Sequence, residues 1–388
     1  MPTDIAGDAR VRARAIAAAA TAWRDPSSEI RAKARRALAG SMWPAPVVET
    51  ALDNALCDLD EARVAELMRS RPLEAGRLRV LVVLPGNIIG PAIQSAFCAA
   101  VAGARVTLKS ASGERRLAAL VAEQFDALGP PLAGSAIAEY WRGGEIDPEA
   151  SALESVDRVI VFGDDATMQQ IRSRARSFDV DIIGYGESYS IGYVSRESDA
   201  AKAAHEAAAD LCLFDQRGCM SPQTIYVAGD RGRAVLFART LASAIGETSK
   251  RLPRARLEPG EPALIADAIR RLSASAMEPT PHGLDTVIAG PLRDGVPAFA
   301  VAVENFGEPT CFGFGRVAVI KPCGSAREVA TQLRYYGRTV ETIGLSGDLP
   351  DSDLSALRLA NPLRVCALGE MQRPPFGHRP AVSDFRSA

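Results

Sequence analysis

Histidine and paired cysteine are scarce in this chain of 388 residues. His205, His282 and His378 are its three histidines, and none is followed at i+3 or i+4 by a second histidine or a cysteine. The seven cysteines (Cys57, Cys98, Cys212, Cys219, Cys311, Cys323 and Cys366) contain no CxxC pair. An odd, dispersed set of thiols leaves no zinc or iron–sulfur framework and points to reduced cysteines in a reducing compartment, so no metal is expected. No Gly-x-Ser-x-Gly elbow supports a Ser-His-Asp hydrolase. There is no block of like charge, and 45 Lys+Arg against 47 Asp+Glu leave a net charge of −2. Nucleic-acid binding is excluded as a main role, because neutralising phosphates takes a basic face. The one long stretch without charge, Val80 to Ala104, is broken by Pro85-Gly86-Asn87 and Gly90-Pro91. It reads as strand, turn and buried helix rather than a membrane span. The N-terminus, with Asp4, Asp8, Arg10, Arg12 and Arg14 ahead of a short Ala run, lacks a secretory h-region, and a cytoplasmic location is expected.

What is present is the composition of an ordinary globular protein, 47% apolar and 24% charged. At about 150 residues per domain the length allows two or three domains. Residues 8 to 70 are rich in Ala, Arg and Glu with helical spacing, as in Leu52, Leu56, Leu59 and Val64. From Leu78 the period changes. Strands are expected at 78–84, 105–108, 136–141, 158–162 and 180–183, and helices at 91–101, 114–128 and 166–177. Strands alternating with helices of this length imply βαβ crossovers and a parallel sheet covered on both faces, the signature of a doubly wound nucleotide-binding domain. A helix over 200–213 then leads through Phe214-Asp215-Gln216-Arg217-Gly218-Cys219 into a strand at 224–227. Helices at 234–245 and 262–275 and strands at 286–288, 299–303 and 317–320 make a second α/β unit. The tail from Arg373, with three prolines and no helical period, reads as an arm packed on a partner or a frayed end.

Cys219 stands out among the cysteines because Gly218 precedes it and a helix hands over to a strand there, where backbone amides can be left pointing at a thiolate. A free thiol is only about 3% ionised at pH 7, so a nucleophile needs such donors or a nearby cation, and Arg217 is a candidate for the charge. Read alone, such a cysteine is more often a packed thiol than a nucleophile. Asn87 follows a strand at the carboxyl edge of the sheet. Its plain reading is a turn residue; its sharper one is an amide aimed at a developing oxyanion, a role worth about 3 kcal/mol.

The order of the motifs adds context. Leu84-Pro85-Gly86-Asn87, then Gly103 to Ser110 with Lys109, then Asp215-Gln216-Arg217-Gly218-Cys219, then Glu304-Asn305-Phe306-Gly307 resemble the aldehyde dehydrogenase superfamily. More closely, Asp215-Gln216, Ser221-Pro222-Gln223, Ile183-Gly184-Tyr185-Gly186 and Gly369-Glu370-Met371-Gln372-Arg373-Pro374-Pro375 resemble the LuxC-like acyl-CoA reductases. A departure lies near the end, where Gly377-His378-Arg379-Pro380 stands in place of the family's usual His-Asp-Gly.

The resemblance implies an α/β, aldehyde dehydrogenase-like fold: a helical N-terminal segment over 1–76 packing on a cofactor domain over 77–197, a catalytic domain over 198–372 and a tail, 373–388, that is a candidate oligomerisation arm. It implies NADPH-dependent reduction of an acyl-CoA or acyl-carrier thioester to an aldehyde through an acyl-Cys219 intermediate, with Asn87 as oxyanion donor. The rival readings are aldehyde oxidation and a non-redox acyl-cysteine relay or assembly protein. Lys109, Ser110, Ser112, Gly163 (in Phe162-Gly163-Asp164-Asp165), Gly184, Gly186, Glu304 and Phe306 are the implied cofactor contacts. Hydrolytic superfamily members carry a water-activating glutamate where Gly184 stands, so the acyl-enzyme here is spared from water. NAD-preferring members carry a glutamate where Ser112 stands; its absence, with Arg115 and Arg116 just beyond, favours NADPH over NADH, since guanidinium groups bind phosphate through paired hydrogen bonds. The plain reading of both arginines is a solvated helix face. Homo-oligomerisation and an acyl-donating partner enzyme complete the expectations.

Overall fold

Glycine and proline punctuation sets the limits of the first buried helix. In this computed structural model, which describes residues 5–69, 78–276 and 287–386, helix Pro91–Ala102 is capped by Gly90 at φ 129° and Gly103 at φ 80°. The uncharged stretch thus folds as strand, turn and helix; among the described residues no helix is long and apolar enough to cross a membrane. His282 lies outside the described residues.

Two compact units emerge, Met1–Ser41 with Val48–Glu187 and Pro374–Ala388, and Met42–Val47 with Ser188–Arg373. In the first, helices α1 (Ile5–Arg24), α2 (Glu29–Leu38), α3 (Ala45–Ala55) and α4 (Glu61–Arg69) precede β1 (Arg79–Val83), α5 (Pro91–Ala102), β2 (Arg105–Lys109), α6 (Leu117–Leu128), β3 (Ala136–Glu139), α7 (Ile146–Glu154), β4 (Arg158–Phe162), α8 (Asp165–Ala175) and β5 (Asp181–Tyr185). The five strands are all parallel in the order β3-β2-β1-β4-β5. The order reverses at β1, so ligands are expected beyond the carboxyl ends of β1 and β4. Helix α6 begins at Leu117 and not at Glu114, because the Glu114 carboxylate accepts from the Arg116 and Leu117 backbone N–H groups (2.7 and 2.9 Å) and so caps the helix from outside. The helical segment is tied down by polar contacts: the Trp23 indole donates to Gln124 Oε1 (2.7 Å), and the wholly buried Arg31 reaches Trp23 O, Glu49 Oε2 and Asp53 Oδ1 at 2.6 to 2.8 Å.

The tail is packed on its own unit and is not a frayed end. Phe385 is fully buried, Phe376 N donates to Asp58 (3.0 Å), and Arg158 Nη1 donates to the carbonyls of Asp384 and Arg386 (2.8 and 2.7 Å).

The second unit holds β6 (Tyr189–Val194), α9 (Ala200–Cys212), β7 (Pro222–Ala228), α10 (Arg231–Arg251), α11 (Glu261–Ala276), β8 (Val287–Ala289), the short pair β9 (Leu292–Arg293) and β10 (Val296–Pro297), β11 (Ala300–Val303), β12 (Val317–Cys323), α12 (Ala326–Tyr336), β13 (Val340–Ser346), α13 (Asp351–Arg358) and β14 (Arg364–Ala367). Its seven-stranded sheet runs β14-β13-β6-β7-β12-β11-β8, parallel except for β8. The boundary expected at residue 197 falls instead between Glu187 and Ser188, because β6 pairs with β7 and β13 of this sheet. Ala203, Ala207, Leu211, Phe237 and Leu241 fill one face of the sheet, and Val329, Leu333 and Leu357 the other.

Candidate active site

The segment leading to Cys219 is strained. After α9, Phe214, Asp215 and Gln216 take φ of 63°, 50° and 62°, left-handed values that cost a residue with a Cβ about 1–3 kcal/mol each. Such a run persists only where the surroundings over-determine it. Phe214 meets the Trp43 ring edge-on at 5.3 Å. The buried Asp215 carboxylate accepts from Arg316 Nε (2.6 Å) and Ala255 N (2.8 Å), and its carbonyl accepts from Gly315 N (3.0 Å). Gln216 Nε2 donates to the carbonyls of Pro222 and Val317 (3.0 and 3.2 Å). Arg316 is itself left-handed, at φ 57°, and donates to Ser249 Oγ, Leu252 O and Cys212 O. The Asp-Gln pair ahead of the cysteine therefore shapes a turn.

Cys219 is half-buried on that turn, just before β7. Its carbonyl accepts from Ser190 Oγ (2.7 Å), a wholly buried hydroxyl of β6 that in turn accepts from Thr342 N (3.1 Å). Ser221 N closes the turn onto Gly218 O (3.0 Å), and Ser221 Oγ donates to Asp210 O (2.7 Å). The two terminal nitrogens of Arg217 lie 2.6 and 2.8 Å from the Glu261 oxygens, a bidentate pair that fixes the guanidinium two residues before Cys219. Burial pushes the thiols of Cys212, Cys311 and Cys366 up to about 11 and that of Cys323 to about 12, so they carry almost no thiolate near neutrality.

The motif near the end has a structural use. Asp210 of α9 is 1% exposed, and its carboxylate accepts from the backbone N–H groups of Gly369 (2.6 Å), Met371 (3.0 Å) and Gln372 (3.4 Å). Burial pushes this carboxyl up to about 7 against the opposing pull of those amides. The same residue thus anchors the loop after β14 and, through Ser221, the turn of Cys219.

Glu304, Phe306 and Gly307 lie in a segment pinned to β7. Tyr226 OH donates to Gly307 O (2.8 Å) and its ring meets Phe306 edge-on at 6.1 Å, while Thr224 Oγ1 donates to Thr310 O (2.9 Å) and accepts from Thr310 N (2.8 Å). Phe306 is 37% exposed, an apolar ring turned to solvent. Lys321 Nζ (2.9 Å) and Thr310 Oγ1 (2.7 Å) both meet the Glu304 carboxylate at Oε2. Neither Lys321 nor Thr310 was legible as a site residue; a lysine inside the apolar run Val317–Ile320 was the available signal.

In the first unit Asn87 is exposed in the turn after β1. Lys109 closes β2, half-buried, with Nζ 5.7 Å from the centre of the Trp141 ring. Burial lowers its pKa from the usual 10.5, with Glu149 and Tyr140 opposing, and no carboxylate among the described residues lies within ion-pair distance. Such an ammonium suits a hydroxyl- or phosphate-bearing ligand. Ser110 is buried, its N–H extending the ladder to Glu139 O (2.9 Å), so it shapes the turn and does not offer an exposed hydroxyl. Ser112 is exposed; beside it the Arg115 guanidinium stacks 3.6 Å from the Tyr140 ring centre and donates to Tyr140 OH (2.8 Å). At Gly163 a Cβ would sit 3.0 Å from Thr167 Cβ, in the turn where Asp164 caps α8. At Gly184 a Cβ would fall 1.9 Å from Met168 Cε, so any side chain there displaces Met168. Between Gly184 and Gly186, Tyr185 stacks on Phe162 (4.9 Å) and its hydroxyl is hydrogen-bonded to Asp384.

The acyl-CoA reductase (LuxC) family profile matches residues 48–379. Among curated proteins the chain is similar to the long-chain acyl-protein thioester reductase of Photorhabdus laumondii, 26% identical over 38% of this chain and 32% of that protein. It is similar also to long-chain acyl-protein thioester reductase 2 of Photobacterium leiognathi, 27% identical over 44% and 36%. The matches thus span less than two thirds of those relatives' lengths. Among solved structures it resembles a NAD-dependent benzaldehyde dehydrogenase from Corynebacterium glutamicum, with a TM-score of 0.73 at 15% identity over 98% of this chain and 84% of that one. It also resembles an E. coli NADP dependent enzyme, with a TM-score of 0.70 at 16% identity over 93% and 78%. The fold is aldehyde dehydrogenase-like.

Proposed function

Since this chain belongs to the acyl-CoA reductase (LuxC) family of oxidoreductases, we propose that it reduces an acyl thioester to an aldehyde by way of an acyl group carried on Cys219. The observation that carries this reading is the family match across 48–379, within which Cys219 is a half-buried cysteine on a turn braced by Ser190 and by the Asp215–Arg316 pair. The Cys219 thiolate attacks the thioester carbonyl carbon; the bond to the donor thiol breaks and the electron pair leaves on that sulfur. Asn87 and the Cys219 backbone N–H are the donors to the oxyanion that forms on the way. A reduced nicotinamide, when bound, supplies the hydride that takes the acyl-cysteine to the aldehyde level. The aldehyde then departs as the Cys219 thiolate is regenerated. Gly184 supplies no carboxylate to activate water, which leaves the acyl-enzyme intact. The names of the similar reductases favour a long-chain acyl group on a protein as donor, with acyl-CoA as the alternative.

For the cofactor, Lys109 holds the adenosine ribose and Glu304 the nicotinamide ribose, with Phe306 beside the ring and Gly163, Gly184 and Gly186 giving the backbone close approach. Ser112 in place of a carboxylate, with the Arg115 guanidinium held on Tyr140 and Arg116 next to it, favours NADPH over NADH. The charged form of Lys109 is the one that binds. Because burial lowers its pKa, affinity for NADPH is expected to be full near neutrality and to fall as pH rises through a value below 10.5. Lys109→Arg moves that fall upward. Fluorescence titration of NADPH across this range checks it, and an unchanged profile in the variant counts against the assignment.

The reading is tested by mixing the protein with an acyl-CoA in the absence of dinucleotide and mapping the adduct by mass spectrometry. An acyl mass on the Cys219 peptide is expected. Its absence, or its presence on another cysteine, overturns the reading.

A further inference from the structure

We propose that Lys321 is a positioning residue for the dinucleotide: with Thr310 it commits one oxygen of Glu304 and leaves the other as acceptor for a ribose hydroxyl of the nicotinamide half. The inference rests on the reduction reading above and assigns a residue that reading does not use.

Lys321 belongs to β12, in register with Tyr226 of β7, where Val319 and Ile320 before it are fully buried. A central strand of a parallel sheet is ordinarily an apolar run, and an ammonium only 5% exposed costs several kcal/mol of desolvation unless it is well paired. The pairing exists: Nζ is 2.9 Å from Glu304 Oε2. Replacing such a pair by apolar residues is often neutral for stability, so the fold by itself gives no reason to keep a lysine here. What the lysine does is fix a carboxylate. Thr310 Oγ1 donates to the same oxygen (2.7 Å), and Thr310 is held by its two reciprocal bonds with Thr224. Glu304 N donates to Ile320 O (3.0 Å), one residue before Lys321. Glu304 is therefore held through both its backbone and its side chain, yet its side chain remains 24% exposed and open to a ligand. A hydroxyl acceptor held in one orientation binds its donor without losing side-chain entropy, which is the advantage of preorganisation.

The test follows NADPH and NADH fluorescence on the full chain for wild type, Lys321→Met, Glu304→Gln and the double variant. Lys321→Met is expected to weaken binding about tenfold, as for strongly coupled neighbours, while adding it to Glu304→Gln costs less than about twofold more. Lys321→Arg should restore most of the affinity. Wild-type affinity in Lys321→Met, or an equal loss in the Glu304→Gln background, overturns the proposal and leaves the reduction reading in place. A wild-type protein that binds neither dinucleotide overturns both. Should Lys321→Met fail to fold, Thr310→Val removes the other bond to Oε2; a loss of about threefold is expected, and unchanged binding counts against the proposal.

Discussion

Replacing Cys219 with alanine is expected to lower acyl-thioester reduction by at least about four orders of magnitude, since removing a covalent nucleophile leaves only binding and oxyanion stabilisation. The acyl adduct disappears with it. Because the side chain is small and half-buried, the folded state should change little, and the unfolding free energy from urea melts should stay within about 1 kcal/mol of wild type. Loss of activity with an intact melt therefore assigns the effect to chemistry. Cys219→Ser should not rescue, as a hydroxyl without an adjacent base is a weak nucleophile. NADPH consumption coupled to aldehyde trapping reads the result. Retention of more than about 1% of the wild-type rate would refute a covalent role for this sulfur.

The second large effect falls on the turn behind it. Asp215→Ala leaves the Arg316 guanidinium 1% exposed without its carboxylate, and removing one partner of a buried pair costs about 3–5 kcal/mol. The left-handed run of Phe214, Asp215 and Gln216 loses its central tether at the same time, because Asp215 also receives Ala255 N. Unfolding by urea should show the loss, and the rate of acyl-Cys219 formation should fall with it. Arg316→Met combined with Asp215→Ala removes both charges, so the double variant should be more stable than Asp215→Ala alone. If Asp215→Ala unfolds at the wild-type midpoint, the pair is not what holds this turn.

Much of the first unit was legible because its signals are local. Gly90-Pro91 and Gly103 bracket α5, and Val/Leu-rich strands alternate with Ala-rich helices. The acidic nine-residue α7 escaped notice, since it has little apolar period. In the second unit β13 was hidden by its own polar residues: Glu341 and Thr342 are wholly buried at a bulge against β6, and Gly344 lies where a Cβ would strike Met371. The packing of the tail was not legible because Phe376 and Phe385 bury themselves from irregular backbone, which leaves no period to detect.

The candidate site divides the same way. Cys219, Asn87, Lys109 and Glu304 could be named from a resemblance in motif order. What surrounds them is set by residues far along the chain. Arg217 is fixed by Glu261, 44 residues on, a partner that no local signal announces. Asp215-Gln216 carried no turn signal, because neither residue is glycine and the left-handed conformation is imposed by Arg316 and Val317, 101 residues further along the chain in each case.

The second unit is inserted within the first, whose segment from Pro374 onward, with Phe376, Asp384 and Phe385, is translated after the whole of the second unit. A ribosome-bound nascent chain therefore presents the sheet of β1–β5 without its last covering residues while the inserted unit can already collapse. A bulky fusion placed directly behind residue 386, or a stop codon at 374, should disturb the earlier-synthesised unit and spare the later one, reversing the order that vectorial synthesis ordinarily imposes.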